Sequence, residues 1–444
     1  MKSNRILFFL LAVATCGLAQ QQSKPVPNPY RVQITADRPD HRYDTGETVT
    51  FEILAVDSSD NNRAMDFGSV DFGVFDGLKL IEKDTLGVTG KSLKIEATVT
   101  RPGFVRCEAA FTGGGQASIR GRAVVAVSPE EISPSREFPV DFEAFWTEQK
   151  ARLAEVELAP ELTAFETKNP KLETFDVKIP CGDEIRPVSG YFSRPKAAAA
   201  KSLPIVLWVH GAGVRSAMAG QAEVGAVQNF LSMDINAHGI ENGQSPEFYK
   251  QLFSVGFLKN YPLQGRENRD GYYFRGMFLR LVRALDFLTA QPEWDGKTVA
   301  VIGHSQGGAQ AIVAGGLDDR VTFIGAGVPA MCDHTGLLRK RLSGWPKVIP
   351  LDQATQKPDP QVAEMSRYFD GVNFASRYHG EAIFSVGFVD MVCPPSSVYS
   401  AYNQLRGEKR IINEPKMGHA APEEIQLEFL NALKAHAVRD SKSE

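Results

Sequence analysis

The sequence predicts an α/β protein, a mostly parallel sheet with helices on both faces, preceded by a smaller all-β immunoglobulin-like sandwich. From Phe175 onward, short apolar runs alternate with segments of helical periodicity, the pattern of a buried parallel sheet. Across residues 30–128 the period is instead two, in short runs separated by Gly, Asp and Asn, as half-buried strands require. A length of 444 residues exceeds one ordinary domain.

The N-terminus places Lys2 and Arg5 before an apolar stretch over 6–13 and ends in Gly17-Leu18-Ala19. That order reads as a secretory signal over residues 1–19, cleaved after Ala19, and it is too short for a comfortable membrane span. Cys16 keeps a lipid-anchored alternative open, although Thr15 before it suits that signal poorly. The expected location is periplasmic or extracellular. A Gln-, Pro- and Ser-rich linker over 20–29 leads into the sandwich, whose alternating runs include residues 31–35, 48–53, 92–99 and 123–127. Gly113-Gly114-Gly115 has no helical segment after it, so a hairpin is expected there rather than a phosphate loop. A Pro- and Ser-containing stretch over 129–139 marks the boundary, with the catalytic domain taken as 135–444.

The segment Asp141-Phe142-Glu143-Ala144-Phe145-Trp146 opens a helix, with Asp141 as its N-cap. Strands are expected at 204–210, 230–236, 299–303, 321–325, 382–387 and 409–412, and helices at 276–290 and 427–437. A net charge of −4 carries no basic excess, which argues against nucleic acid as a partner. No stretch after the N-terminus is long and apolar enough to span a membrane. Four cysteines remain in the mature chain, Cys107, Cys181, Cys332 and Cys393. They permit three full pairings among which sequence cannot choose, and mostly buried thiols with at most one bridge are expected.

The chemistry gathers around Gly303-His304-Ser305-Gln306-Gly307. An apolar β-branched run enters it and a small-residue helical segment leaves it, the context of a Gly-x-Ser-x-Gly nucleophile elbow. A serine hydroxyl needs an adjacent base, and the base needs a group that fixes its tautomer. Asp390 and His419 follow in chain order, each just past a predicted strand, where catalytic groups of an open sheet are found. His304, His334, His379 and His436 are rivals for the base, and Asp333 is the rival acid. The backbone amides of Gln306 and Ala212 are the expected oxyanion donors. The eight histidines are scattered and no HExxH pattern is present, so the chemistry calls for no metal.

With those residues in hand, the second domain resembles carbohydrate esterase family seven, the acetyl xylan esterases and cephalosporin-C deacetylases of the α/β-hydrolase superfamily. The resemblance rests on residues 141–146, Arg283-Ala284-Leu285-Asp286-Phe287-Leu288, the Ser305-Gln306-Gly307-Gly308 elbow, Met331-Cys332-Asp333 and Asp390-Met391-Val392-Cys393-Pro394-Pro395. It implies an α/β-hydrolase fold, Ser305, Asp390 and His419 as the triad, an acetyl-enzyme intermediate and no cofactor. The chain departs from the family at Ile235-Asn236-Ala237-His238-Gly239 after Asp234, where the family has Arg-Gly-Gln. It departs again at Ala420-Ala421 after His419, and at Ala212, where a Tyr often stands. The expected activity is a secreted serine esterase that deacetylates oligosaccharides or another small ester. The alternatives are another serine hydrolase on the same triad, or a glycan-binding protein with a decayed hydrolase domain. The sandwich reads as an accessory or oligomerisation module, with a homo-oligomer as one expected state.

Overall fold

The computed structural model describes residues 29–115 and 119–442. The signal stretch over 1–19, with Cys16, lies outside the described residues. The chain begins with β1 (Tyr30–Ala36), β2 (Arg42–Tyr43), β3 (Thr48–Asp57), β4 (Arg63–Ala64), β5 (Ser69–Asp76), β6 (Lys79–Gly87), β7 (Leu93–Thr98), β8 (Gly103–Thr112) and β9 (Ile119–Val127). One sheet gathers β1, β4 and β7 around β3, and the other runs β2-β9-β8-β5-β6. The alternation read in the sequence decides which side chains face inward: Val49, Phe51, Ile53 and Ala55 of β3 are buried, and Thr50, Glu52 and Leu54 between them less so. The first strands divide between the sheets, β1 antiparallel to β3 and β2 parallel to β9, an arrangement of immunoglobulin type. Gly113-Gly114-Gly115 leaves β8 toward its antiparallel neighbour β9, as a hairpin does.

The second unit adds α1 (Phe142–Ala154), β10 (Glu161–Phe165), β11 (Leu172–Ile179), β12 (Val188–Pro195), β13 (Leu203–Val209), α2 (Ala219–Val227), β14 (Leu231–Ile235) and α3 (Pro246–Ser254). It continues with α4 (Tyr273–Thr289), β15 (Trp294–His304), α5 (Gln306–Leu317), β16 (Phe323–Gly327), α6 (Pro360–Ser366) and α7 (Gly371–Ala375). The chain closes with β17 (Glu381–Gly387), α8 (Pro395–Tyr402), β18 (Lys409–Glu414) and α9 (Glu423–Lys442). Nine strands form one sheet in the order β10-β11-β12-β14-β13-β15-β16-β17-β18. Pairing is parallel from β14 to β18 and antiparallel from β10 to β14. Side chains on the two faces meet different layers. Ile205, Leu207 and Val301 pack toward α1, α4 and α5, whereas Ile302, Phe323 and Ile383 pack against Phe429 and Leu433 of α9.

Two details differ from the sequence reading. The sequence reading does not foresee the antiparallel edge; its outer strand β10 is exposed throughout, and its large apolar residues Leu162 and Phe165, three apart, fall on opposite faces. Asp141 stands at the N-cap of α1 without capping it. Its carboxylate instead takes Arg269 at 2.5 Å and the Tyr368 hydroxyl, which ties the start of the helix to the loop before α4.

The sandwich sits directly on the larger unit. Phe104, Val124 and Ala126, on its outward face, belong to the larger unit's core, and the Phe104 ring meets Phe388 edge-on at 5.3 Å. The Leu78 amide donates to the Lys340 carbonyl at 2.7 Å, and the Asn403 side chain donates to the Pro129 carbonyl at 3.0 Å. Among the described residues no helix is long and apolar enough to cross a membrane. Among the described residues, Cys107, Cys181, Cys332 and Cys393 are all buried free thiols.

Candidate active site

Ser305 is the single residue between β15 and α5, and it holds φ 60° and ψ −121°. A non-glycine residue at positive φ is strained by about 1–3 kcal/mol and persists only where its surroundings impose it. Here they do. A Cβ on Gly303 would lie 2.5 Å from the Val209 carbonyl oxygen, and one on Gly307 would lie 2.2 Å from the same atom. Only glycine lets strand and helix cross the end of β13 so closely. The Ser305 amide donates to Gly327 at 2.8 Å, and its carbonyl accepts from Ala330 at 3.0 Å, so the apex is also clamped from the β16 side.

The structure brings the three expected side chains together. His419 Nε2 lies 2.9 Å from Ser305 Oγ, and His419 Nδ1 lies 2.8 Å from Asp390 Oδ2. Asp390 is 1% exposed, and its other oxygen accepts the Val392 and Cys393 amides at 2.7 and 2.9 Å. That leaves Oδ2 to take the proton of Nδ1, which assigns the free lone pair to Nε2, facing the serine. The loops after β17 and β18 are stitched side by side: the Phe388 amide donates to Glu414 at 3.1 Å and the Val389 amide to Met417 at 3.2 Å.

The rivals are placed elsewhere. The His304 ring stacks on Phe429, 5.4 Å between centroids, and burial pushes its pKa down to about 4. His334 is buried, its Nε2 is without a partner, and burial pushes it down to about 4. His379 is exposed just before β17, and His436 bonds Glu381 and Thr322; both lie at the amino ends of the strands, across the sheet from Ser305 at a carboxyl end. Asp333 takes the Ser135 amide at 2.9 Å and Arg341 at 2.7 Å. It buttresses the segment behind the elbow, beside a buried Asp370 that burial raises to about 7.

The two expected oxyanion donors belong to the residue after the serine and to the loop after β13, where a Cβ on Gly211 would lie 3.6 Å from Ser305 Cβ. The Gln306 amide is the first N–H of α5 and has no acceptor within the helix. Ala212 is exposed, in a loop fixed on both flanks by groups the sequence did not single out. His210 Nδ1 donates to Gly211 O at 2.6 Å while its Nε2 accepts the Ala237 amide at 3.0 Å. His238 Nε2 donates to Gly213 O at 3.1 Å, and its Nδ1 accepts the Tyr273 hydroxyl at 2.7 Å. The Tyr261 hydroxyl accepts the Gly213 amide at 3.4 Å and donates to Gln306 Oε1 at 2.7 Å, spanning the two donor segments. Each imidazole has one donor and one acceptor satisfied, the neutral form. Burial accordingly lowers His210 to about 4 and His238 to about 3.

Asp390, Cys393 and His419 each present one ligand atom within 4.8 Å of the others, a donor set that a thiophilic divalent ion could engage. Those carboxylate and imidazole atoms already serve the chain to Ser305, and burial raises the Cys393 thiol well above its usual range. An ion held there would therefore compete with the His419–Asp390 bond.

The profile of the family described as acetyl xylan esterase (AXE1) matches residues 128–434. The chain is 32% identical over 336 residues, 74% of each protein, to the acetyl esterase Axe7A of Xylanibacter ruminicola. Among solved structures, the acetyl xylan esterase from Paenibacillus sp. R4 superposes with a TM-score of 0.59 at 24% identity, over 69% of this chain and 98% of that one. Acetyl xylan esterase 1 from Thermoanaerobacterium sp. JW/SL YS485 gives 0.59 at 23% identity, over 69% and 97%. At these identities the two structures speak for a shared fold.

The neutral histidines predict a pH dependence of stability. A pKa lowered from about 6.5 in the unfolded chain to about 3 in the fold, as for His238, contributes stability that is complete above pH 6.5. That stability is lost as the pH falls toward the folded value, because the unfolded chain takes up a proton the native one refuses. His238→Gln keeps a donor and an acceptor without a titrating proton. Between pH 6 and 4 its unfolding free energy, measured in urea, is expected to fall less steeply than that of wild type by roughly 1.4 kcal/mol per pH unit. Parallel curves would show that His238 is not neutral in the fold.

Proposed function

Because the chain belongs to the acetyl xylan esterase family, a family of carboxylic ester hydrolases, we propose that it is an exported serine esterase that removes acetyl groups from oligosaccharides through an acetyl-enzyme. The observation that carries this reading is the unbroken chain from Asp390 through His419 to Ser305, with bonds of 2.8 and 2.9 Å. His419 Nε2 takes the Ser305 proton as Oγ attacks the ester carbonyl, then gives it to the departing sugar hydroxyl. Asp390 holds the Nδ1 tautomer and stabilises the imidazolium. The Gln306 and Ala212 amides receive the negative charge that grows on the carbonyl oxygen. Water, deprotonated by the same imidazole, then attacks the acetyl carbonyl and releases acetate and free serine.

Ser305→Ala removes the attacking oxygen without disturbing the elbow's backbone. Acetate release from acetylated xylo-oligosaccharides is expected to fall by roughly 10⁴- to 10⁶-fold. Retention of more than a tenth of the wild-type rate would remove Ser305 from the mechanism. If wild type cleaves an aryl acetate but not the oligosaccharide, the esterase stands and this substrate class is discarded.

Tyr261 acts through its neighbours, as a positioning residue. Tyr261→Phe cuts the link between the Gly213 amide and Gln306 Oε1 while leaving the ring in place. It is expected to lower kcat by about tenfold with KM nearly unchanged, the mark of an interaction made in the transition state. A rise in KM at constant kcat would assign the hydroxyl to substrate binding instead.

Export rests on the charged and apolar order of residues 1–19. The protein recovered outside the cytoplasm of an expressing cell should begin at Gln20 by N-terminal sequencing; an intact Met1 there would contradict the cleavage.

A further inference from the structure

The face of the acid loop turned away from His419 borders a cavity of about 250 Å³ between the sandwich and the larger unit. Asp390, Met391 and Pro394 contribute to its wall, but Ser305, His419 and Ala212 do not. The sandwich completes the enclosure. Gly77, in the turn between β5 and β6, has φ +59°, and a Cβ there would lie 2.3 Å from the Lys340 carbonyl oxygen. The neighbouring Leu78 amide donates to that same oxygen.

The lining is unusually rich in cations. Arg101, Arg106, Arg339, Lys340 and Arg341 face three acids, Asp76, Glu131 and Asp390. Two of the acids are engaged, Asp76 by Arg101 at 2.5 Å and Asp390 by His419. Arg341 is held by Asp333. Among the described residues, neither Arg339 nor Lys340 has a carboxylate partner, although Arg339 Nε donates to the Ser135 carbonyl at 3.3 Å. Arg106 is buried and already paired: Glu108 lies 2.9 Å from its Nε, Nη1 donates to the Gly77 carbonyl at 3.3 Å, and the guanidinium covers the Phe75 ring, so it adds charge to the wall without a bond to spare. Five cations against three acids, two of the cations without a carboxylate, give the wall an excess of positive charge that an anion would meet. The rest of the wall is apolar, with Phe104, Ile132, Phe388 and Pro394. An inorganic ion would leave that surface unused, whereas the C–H face of a sugar ring covers it. The volume is below the usual 300–1,000 Å³ of ligand pockets, room for about one ring.

We propose that this cavity binds a single carboxylate-bearing sugar ring, in a second site that exists only where the sandwich covers the back of the loop carrying Asp390. The choice of a sugar rests on the saccharide esterase proposed above; the demand for an anion does not. The acid sugar has two possible sources, a substituent on the acetylated oligosaccharide or a free molecule that acts through the loop.

The test is calorimetric titration of the full-length protein with glucuronate, glucose and inorganic phosphate. Glucuronate is expected to saturate one site, at least tenfold more tightly than either glucose or phosphate. The Arg339→Ala/Lys340→Ala double variant, changed at two exposed positions, is expected to weaken it tenfold or more. Glucuronate binding no tighter than glucose, no tighter than phosphate, or unaltered in the double variant overturns the proposal. Titration needs no turnover, so a protein inert toward every ester that still bound glucuronate would sink the esterase reading and leave this site standing. In an active enzyme, a lower KM for oligosaccharides bearing a uronic acid marks the ring as part of the substrate. A change in aryl acetate turnover on adding free glucuronate marks it as an effector.

Discussion

The site depends on how closely three backbone segments cross at the carboxyl end of the sheet. β13 ends where β15 turns into α5, and the Val209 carbonyl occupies the space that side chains at 303 and 307 would need. With glycine at both positions the turn can be tight enough to force Ser305 to φ 60°. The strain at one residue is offset by the packing of a whole strand and a whole helix, which is why a single hydroxyl can be held proud of the sheet. Loosening the crossing would let Ser305 relax toward ordinary backbone angles and carry its oxygen away from His419.

Parallel order then does much of the remaining placement. β17 and β18 are hydrogen-bonded neighbours, with Gly387 opposite Glu414 at their carboxyl ends. The loops that follow are therefore adjacent before any side chain is chosen, and Asp390 meets His419 without a long reach. On the other flank, adjacency is not enough. The Ala212 loop leaves β13 with few backbone bonds of its own, and its shape comes from His210, His238 and Tyr261. These three satisfy the loop's peptide groups only when both imidazoles are neutral. Their burial keeps them so, which makes the desolvation of two histidines a condition for the loop's geometry rather than a by-product of packing.

What was legible in the sequence follows the same division. The elbow, the strand-end positions of Asp390 and His419 and the two-sheet N-terminal unit each rest on local signals: glycine spacing, chain order and period-two alternation. Boundaries drifted by a few residues where propensity is weak, as at α4, which begins at Tyr273 rather than Gly276. Asp141 looked like a cap because capping is a local habit of aspartate; Arg269 and Tyr368, both more than a hundred residues away, drew its carboxylate aside. Tyr261, His238 and Arg106 could not be found from their neighbours in sequence. Their roles come from contacts across β14, α4 and the sandwich, and a buried tyrosine or arginine carries no motif. The break from the family pattern after Asp234 was the available signal, since it placed His238 where the supporting shell differs.

The attachment of the sandwich follows from the acid loop. That loop must keep Asp390 buried and aimed, yet it lies at the rim of the sheet, with His419 covering one face only. The other face needs a cover. Phe104 supplies it by packing on Phe388 and Tyr399, 5.3 and 5.7 Å between centroids, and by joining the core of the larger unit. Stripped of the sandwich, Phe388 and the residues around it would face water, and the segment carrying Asp390 would lose its backing. A tethered appendage would not share core residues with its neighbour or lend its turn at Gly77 to the neighbour's backbone. The sandwich is better described as the rear wall of the site. A wall that is apolar at its centre and cationic at its margin is also a surface that a charged sugar can read.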